Sequence, residues 1–427
     1  MFANMKQIFS PKNKDLQKRI LFTLFALFIF KVGTTIIVPG IDRDALGTNN
    51  LGFLGLINAM GGGAMERFSI FSLGVMPYIT ASIIVQLLQM DIIPYFSELS
   101  KQGQVGRNKL NQITRVLGIV LAFVQGYMFS FAIIKNGSVF DYMEFATVLT
   151  AGTAFLLWLG DQVTQRGIGN GISLIIMAGI IASLPSMFMD AWNAMVTTGT
   201  AQQVVFGILS FLVFVLVYVA IVLGVVFIEI TERRVPIQYA NKTTAVGANQ
   251  SYIPFKLNSA GVMPVIFASA IISAPSLIAQ VLKNDGFTLF VNKYISYESL
   301  TGFILYVIMI VAFTFFYTHF QLKPKELSEN LQKNGGFIPG IRPGEETVAF
   351  ISRTLNRITV VGALTLTVLA ALPIVFRLFS NLPTSVTIGG TGLLIVVGVA
   401  LETWKQLESS LVTRTYTTRS RGRRRRS

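Results

Sequence analysis

The chain has 427 residues, of which 52% are hydrophobic and only 13% are charged, and its formal net charge is +15. Soluble globular proteins contain roughly 25% charged residues, so this composition excludes an ordinary soluble enzyme or binding domain. The chain has no cysteine, which also excludes disulfides, thiolate metal sites and cysteine nucleophiles.

Ten apolar blocks follow one another along the chain, each long enough to cross about 30 Å of hydrocarbon. We therefore predict an all-α polytopic membrane protein with ten transmembrane helices. The predicted spans lie near residues 20–38, 68–89, 115–134, 145–160, 171–189, 204–228, 259–282, 302–320, 355–376 and 386–404.

The positive charges are distributed unevenly between the two sides of the predicted membrane. Of the 35 Lys and Arg residues, 28 lie in the two terminal segments and in alternate loops. The positive-inside rule places these segments in the cytoplasm. We predict a basic tail at 1–19, helices one to five within 20–189, helices six to ten within 190–404, cytoplasmic loops at 229–258 and 321–357, and a basic tail at 405–427.

Charge is almost absent inside the spans, and Lys31 is the one ionisable residue well inside any of them. Solute pumps bind their ion or proton with buried charged groups, so the sequence predicts a passive conduit without a metal site or cofactor. A secondary transporter with a sodium site built from backbone carbonyls is a second hypothesis. An intramembrane enzyme ranks last, because the spans lack the Cys, Asp, Glu and central His that catalysis would need.

The second span opens with Leu73–Leu88 (LGVMPYITASIIVQLL) and has Pro77 near its start, which favours a kink or a break. Val75, Ile79 and Ile83 are spaced four residues apart and therefore share one helix face. Such a face either packs against neighbouring helices or lines a constriction with aliphatic side chains.

The segment Leu51–Glu66 is apolar but too short to cross a membrane. Its glycines weaken any long helix, and non-helical backbone at membrane depth persists only inside protein or beside a water-filled cavity. Two interpretations remain open: an interfacial loop outside the membrane, or a short mobile helix that folds back into the protein.

Asp161 and Arg166 are predicted to flank a tight turn between the fourth and fifth spans. Gly167, Gly169 and Gly171 are typical of turns that need positive φ. The stretch lacks the Lys and Ser/Thr of a phosphate-binding loop and follows no strand, so we exclude nucleotide binding there.

The two long basic loops carry patterns of their own. Residues 233–239 alternate in polarity, which predicts a short strand within a hairpin. Glycines and prolines in Gly335–Thr347 (GGFIPGIRPGEET) shape a turn around Arg342. Arg342 offers a planar, permanently charged fork to a carboxylate or phosphate, while a local salt bridge is the simpler alternative. The arginines of the hairpin either dock a partner or contact lipid headgroups.

Three long stretches resemble the SecY family of bacterial protein-conducting channels: Leu73–Leu88, Trp158–Ser173 (WLGDQVTQRGIGNGIS) and Gly336–Thr347. The ten spans and the positions of the basic loops extend this resemblance over nearly the whole chain. It implies two inverted five-helix halves around a central hourglass pore. It also implies that unfolded secretory proteins cross through the pore and that transmembrane helices leave it sideways into lipid.

The resemblance further implies roles for individual residues within the channel. A ring of aliphatic side chains at the pore waist would consist of Val75, Ile79, Ile176, Ile180, Ile266 and Ile395. A plug at 53–66 would include Phe53, Leu54, Leu56, Ile57, Met60, Gly61, Gly62, Gly63 and Met65. Polar side chains at a lateral gate would be Gln86 and Gln125, where packing alone is the simpler alternative for either one.

The implied partners bind the cytoplasmic loops and the helices. The motor ATPase SecA and the translating ribosome would dock on Arg342, Arg233 and Arg234. The small subunits SecE and SecG, signal sequences and nascent chains complete the set. We expect a multi-pass protein of the bacterial plasma membrane with both termini in the cytoplasm. The Arg-rich tail is suited equally to anionic lipids and to ribosomal RNA.

Overall fold

A computed structural model describes residues 13–39, 58, 61–65, 67–89, 93–134, 137–196, 201–239, 251–282, 284–296, 299–380 and 392–411. This part of the chain is mainly helical. Its helices are α1 (Lys14–Gly33), α2 (Met76–Leu88), α3 (Pro94–Lys101), α4 (Gly103–Ile133), α5 (Val139–Arg166), α6 (Gly171–Met195), α7 (Ala201–Ile230), α8 (Met263–Leu282), α9 (Asp285–Tyr294), α10 (Leu300–Gln321), α11 (Pro324–Lys333), α12 (Glu345–Ser380) and α13 (392–411).

Each predicted span overlaps one of these helices within the described residues, although α1 ends at Gly33 and the span predicted there runs to residue 38. Among the described residues, six helices are long and apolar enough to cross a bilayer, namely α4, α5, α6, α7, α10 and α12. Two further apolar helices, α2 and the Met263–Ser276 part of α8, are shorter. The all-helical membrane architecture is therefore confirmed, whereas the count of ten crossings stays a prediction.

Helix α7 shows most directly that the surroundings of the helices are lipid. In α7, the side chains of Leu209, Leu216 and Phe227 are 57%, 69% and 70% exposed. A row of large apolar side chains of this length would be an aggregation site in water. In hydrocarbon the same surface costs nothing, which explains why α7 needs no polar outer face.

The predicted second span is too long at its N-terminal end. Helix α2 begins at Met76, and Pro77 lies in its first turn, where the missing N–H would have no helical partner in any case. Residues 67–75, which hydropathy assigns to the span, form turns instead. Hydropathy depends on the side chains and not on the backbone conformation, so it assigns the turns at 67–75 and helix α2 to one span.

The segment between the second and third predicted spans is largely helical, because α3 and the first turns of α4 occupy most of residues 93–115. Leu99 of α3 is buried against Val85 of α2 and Leu110 of α4. A Cβ added at Gly106 would lie 1.8 Å from the carbonyl oxygen of Leu99. The close approach of these two helices therefore depends on a glycine in α4.

The glycine-rich turn after α5 differs from its prediction in two respects. Asp161 does not flank the turn but lies within α5, where it pairs with Arg115 of α4 at 2.7 Å. Of the three glycines, only Gly169 has a positive φ, of 82°. A Cβ on Gly171 would lie 1.9 Å from the carbonyl oxygen of Gly160, so this glycine is required for close packing of α5 on α6.

A three-stranded sheet brings together the two long basic loops. Strand β1 (Glu232–Tyr239) pairs antiparallel with β2 (Ser251–Lys256), which confirms the predicted strand and its hairpin partner. The short strand β3 (Gly336–Phe337) pairs with the far end of β1. Below the sheet lies a cluster of buried side chains from Val235, Ile237, Phe255, Leu331, Ile338, Ile351, Leu355 and Ile358.

The chain divides into two compact units. One comprises residues 1–211, 280–282 and 382–427, and the other comprises 212–279 and 283–381. Helix α13 packs within the first unit although it comes last in the sequence. Its buried Leu411 contacts Leu16 of α1, and a Cβ on Gly169 would lie 3.1 Å from the Thr403 hydroxyl.

The turns before α2 are fixed by backbone contacts on both sides. The Val38 N–H donates to the Phe68 carbonyl at 2.8 Å, and the Ile70 N–H donates to the Ile36 carbonyl at 3.0 Å. On the other side, a Cβ on Gly152 of α5 would lie 1.9 Å from the Ile70 carbonyl oxygen. The turns therefore lie directly against the backbone of α5.

Adding one methyl group at this contact tests the packing. Gly152→Ala should force Ile70 away from α5 and destabilise the fold by roughly 1–3 kcal/mol, the usual cost of overpacking. The measurement is the apparent melting temperature of the purified protein in detergent. The matched control is Ala151→Val at the exposed neighbouring position, which should leave the melting temperature unchanged. Equal melting temperatures for Gly152→Ala and the parent chain would contradict the close contact.

Candidate functional site

The six aliphatic side chains predicted for the pore ring are all buried. Their exposed fractions are at most 7%: Val75, Ile79, Ile176, Ile180, Ile266 and Ile395. Ile266 belongs to the second unit and the other five belong to the first. Burial agrees with both interpretations of the sequence, a packed helix face and a closed aliphatic constriction.

Within the first unit, the structure brings α6 and α13 together at these residues. A Cβ on Gly392 would lie 2.8 Å from Cγ2 of Ile180. Ile395 is three residues further along α13 and therefore shares a helix face with Gly392. The Ile180 side chain thus fills the space that the missing side chain of Gly392 leaves, on the face that also carries Ile395.

The start of α2, which places Val75 and Ile79, is held by a polar contact from α5. The hydroxyl of Thr153, which is fully buried, donates to the carbonyl of Gly74 at 3.2 Å. Gly74 has a φ of +55°, a conformation that glycine adopts without strain. Val75 follows directly as the residue that precedes the helix, so Thr153 fixes the position of the first aliphatic side chain.

Four of the nine predicted plug residues lie within the described part of the chain. Gly61, Gly62 and Met65 are buried and Gly63 is half-buried. The other five, Phe53, Leu54, Leu56, Ile57 and Met60, lie outside the described residues. Gly62 and Gly63 have φ values of +70° and +81°, which explains the glycine run that the sequence shows there.

The two glutamines predicted for the lateral gate lie in α2 and α4 and are both half-buried. Gln86 donates to the hydroxyl of Ser82, four residues earlier in its own helix, at 3.0 Å. Its Oε1 is buried without a hydrogen-bond partner in the described structure. An unsatisfied buried acceptor of this kind lowers the stability of the fold. Gln125 is the corresponding polar side chain in α4.

The three arginines predicted for docking are exposed at the sheet. Arg234 is occupied locally, since its Nε donates to Glu232 at 2.8 Å and its guanidinium lies 4.7 Å from the centre of the Tyr252 ring. The hydrogen bond that Arg234 donates to Glu232 raises the pKa of Arg234 above its ordinary value. Arg233 and Arg342 have no such ion pair among the described residues, so they are better placed to meet a partner.

The turn around Arg342 is shaped by two buried hydroxyls. Thr347 donates to the Arg342 carbonyl at 2.9 Å, and Ser328 of α11 donates to the Gly344 carbonyl at 3.2 Å. Gly340 and Gly344 have positive φ values of 81° and 109°. The backbone of the turn is therefore fixed, while the Arg342 side chain extends into the surroundings.

Sequence reasoning missed the residues that hold these positions. Thr153 and Ser328 donate hydrogen bonds to the backbone of turns far away in the sequence, and Thr347 donates to the Arg342 carbonyl five residues earlier. No pattern in the sequence predicts these bonds. One signal was present in α5, where the small residues of Ala151–Thr153 interrupt a run of large ones. Small residues in a membrane helix mark a close approach of another backbone.

Taken together, these features define a polytopic helical membrane protein with buried aliphatic side chains in its helices, a glycine-rich segment packed against α6 and a three-stranded sheet that carries exposed arginines. Comparisons with known proteins agree with this class. The SecY family profile matches residues 69–404. The chain is 44% identical over 428 residues to the protein translocase subunit SecY of Halalkalibacterium halodurans, covering 97% of this chain and 99% of that one.

Further relatives give the same result. The SecY subunit of Staphylococcus carnosus is 45% identical over 432 residues, covering 97% of this chain and 99% of that one. Among solved structures, one described as a protein-conducting channel superposes with a TM-score of 0.69 at 20% identity, covering 92% of each chain. Canine Sec61 in a ribosome-channel complex gives 0.66 at 19% identity, again covering 92% of each. The chain belongs to the SecY family.

The contact between Thr347 and Arg342 can be tested by removing one hydroxyl. Thr347→Val keeps the shape of the side chain and removes its hydrogen bond, so the turn should open more often. Hydrogen exchange, followed by mass spectrometry on peptides covering 336–348, should become roughly fivefold faster for a lost bond of about 1 kcal/mol. Thr347→Ser keeps the hydroxyl and should exchange like the parent chain. Identical exchange in all three proteins would show that the bond does not shape the turn.

Proposed function

We propose that this chain is the pore-forming subunit of a protein translocase in a bacterial membrane. In this function, unfolded secretory proteins pass through the pore, and transmembrane helices leave it sideways into lipid. The observation that carries the proposal is the burial of the aliphatic side chains of Val75, Ile79, Ile176 and Ile180, within a chain that is 44% identical to a SecY subunit over almost its full length.

An aliphatic ring suits this task for a physical reason. Aliphatic side chains offer no hydrogen bonds, so a ring of them closes by excluding water. It also fits around a passing chain without preferring any sequence. The four residues above, with Ile395 and Ile266, would form the ring, and residues 53–66 would form a plug next to it. The lateral gate would lie between the two five-helix halves, with the second and third spans, which carry Gln86 and Gln125, on one side and the seventh and eighth spans on the other.

The energy for transport comes from outside the chain in this proposal. Arg233 lies in β1 of the sheet that combines both long basic loops, and Arg342 lies in the turn that follows β3, and both side chains are exposed. A rigid surface loses little entropy when a partner binds, which strengthens binding. SecA and the ribosome are the proposed partners of this surface. The ribosome complex of canine Sec61, whose channel has the same fold, supports the second of them.

Further partners and the orientation follow from the family and from the charge distribution. SecE and SecG would bind at the helices, signal sequences and nascent chains would enter the pore, and anionic lipids would contact the basic segments. Both termini lie in the cytoplasm in this proposal, because 28 of the 35 Lys and Arg residues then face inward. A secondary transporter is the weaker hypothesis, since Lys31 offers the one charge well inside a predicted span.

Removing two ring side chains tests the aliphatic constriction. Ile79→Gly together with Ile180→Gly leaves space that water can fill, so resting channels should conduct ions. The measurement is the conductance of reconstituted channels in planar bilayers without SecA or substrate. Ile181→Gly is the matched control, because it removes the same side chain from an exposed position of α6. If the double variant conducts no more ions than this control, the proposed ring is contradicted.

Reversing one charge tests the docking turn. Arg342→Glu should repel an acidic contact on SecA, and disturbing a desolvated charge pair at an interface costs roughly 2–5 kcal/mol. ATP-dependent translocation into proteoliposomes should fall at least tenfold, while the subunit still assembles in the membrane. Arg353→Glu makes the same change at an exposed position of α12 and should retain most of the activity. Normal translocation by Arg342→Glu would refute the role of this residue.

A further inference from the structure

Lys31 has a partner that its position in the sequence does not reveal. It lies in the last turn of α1, and its ammonium nitrogen is 3.4 Å from the carbonyl oxygen of Gly62. The end of a helix favours a cation because the last carbonyls leave a partial negative charge. The side chain therefore connects a favourable position on α1 with the backbone of the predicted plug.

Gly62 is held from the opposite direction by α6. A Cβ on Gly62 would lie 3.2 Å from Cα of Gly179, so the two backbones touch with no side chain between them. Gly179 directly precedes Ile180, which belongs to the proposed ring. The carbonyl that Lys31 binds is thus located next to the proposed constriction.

The other hydrogen bonds of Gly61–Met65 differ from this one. In the described structure they come from the same stretch of chain: the Gly63 N–H donates to Asn58, and Ser69 N–H and the Ser72 hydroxyl donate to Ala64. Hydrogen bonds within this stretch of chain stabilise its local structure, but they do not prevent the whole stretch from moving relative to the helices. Of the described side chains, that of Lys31 is the one from another element that bonds to these residues.

The surroundings explain how a charge persists at this depth. Lys31 and Gly62 line a cavity of about 770 Å³, together with Arg67, Ser183 and Ser186. A cavity of that volume admits water, which hydrates the ammonium. Ideal charge-assisted bonds are about 2.8 Å long, so a contact of 3.4 Å is weak enough to break when the channel opens.

We propose that Lys31 is a positioning residue which holds Gly62 against α6 and so keeps residues 61–65 in place beside Ile180 while the channel is closed. The inference rests on the proposed channel function with its plug. In this proposal Lys31, the one charged residue well inside a predicted span, has a role in gating. In a solute transporter the same residue would instead couple transport to an ion.

Channel conductance tests the proposal on the reconstituted translocase. Lys31→Met keeps the length of the side chain and removes its N–H donors, so the resting conductance should rise about tenfold, the factor that corresponds to 1.4 kcal/mol. Lys31→Arg keeps a charged donor and should remain closed. Arg67→Met removes the other cation of the cavity and should also remain closed. A leak of equal size in Arg67→Met would overturn the proposal, because it would show an effect of net charge alone.

A second measurement follows the plug itself. The chain has no cysteine, so Ala64→Cys introduces a single thiol at a position that is fully buried. A membrane-impermeant maleimide should label this thiol about tenfold faster when Lys31→Met is also present, and at the parent rate with Lys31→Arg. SecA-driven translocation by Lys31→Met should stay near the parent rate, which a misfolded channel would not achieve. Unchanged labelling would overturn the proposal.

Deleting residues 57–65 separates this inference from the function on which it rests. The deletion should leak ions and loosen the discrimination of signal sequences. If the deletion leaks and Lys31→Met does not, the plug stands and the role of Lys31 is refuted. If neither variant leaks, the plug itself is refuted, and the role of Lys31 with it.

Discussion

The irregular backbone between α1 and α2 sets the main constraint on this fold, since its N–H and C=O groups must find partners away from water. The described turns find them in neighbouring backbone and in a single hydroxyl: the Ile70 N–H donates to the Ile36 carbonyl, and the Thr153 hydroxyl donates to the Gly74 carbonyl. Such contacts require very short distances, which is why Gly152 has no side chain. The position of Val75, and with it one side of the proposed ring, depends on this satisfied stretch of turns.

The three-stranded sheet formed by the basic loops has a different role. Two loops that lie far apart in the sequence form one sheet, in which Tyr239 pairs with Gly336. A shared cluster of buried side chains, which includes Phe255 and Ile351, stabilises the sheet. A passive pore needs such a surface because its driving force comes from partners. Thr347 and Ser328 fix the backbone of the turn and leave the Arg342 side chain available.

The helices and the first two strands were predictable because their signals are local: apolar blocks of the right length, and a polarity that alternates over 233–239. The turns at 67–75 were not, since hydropathy assigned their apolar side chains to α2. The pairing of β3 with β1 and the burial of Thr153 were also missed, because each depends on a partner far away in the chain. Motifs that resemble a family located the ring and docking residues, and the plug residues Phe53–Ile57 and Met60 lie outside the described structure.

A channel for many different chains needs a seal that is tight but makes few specific contacts. Aliphatic side chains such as Ile180 satisfy this requirement at the ring, because burying them stabilises the closed state without any directional bond. In the proposed plug, the backbone of Gly62 packs closely against Gly179, and the attachment of the plug must be weak enough to release. One long hydrogen bond from a hydrated ammonium has this strength, whereas a desolvated ion pair would cost several kcal/mol to break. The scarcity of charge in the spans and the placement of Lys31 therefore serve the same end: a closed state separated from the open one by a small free energy that a docked partner can supply.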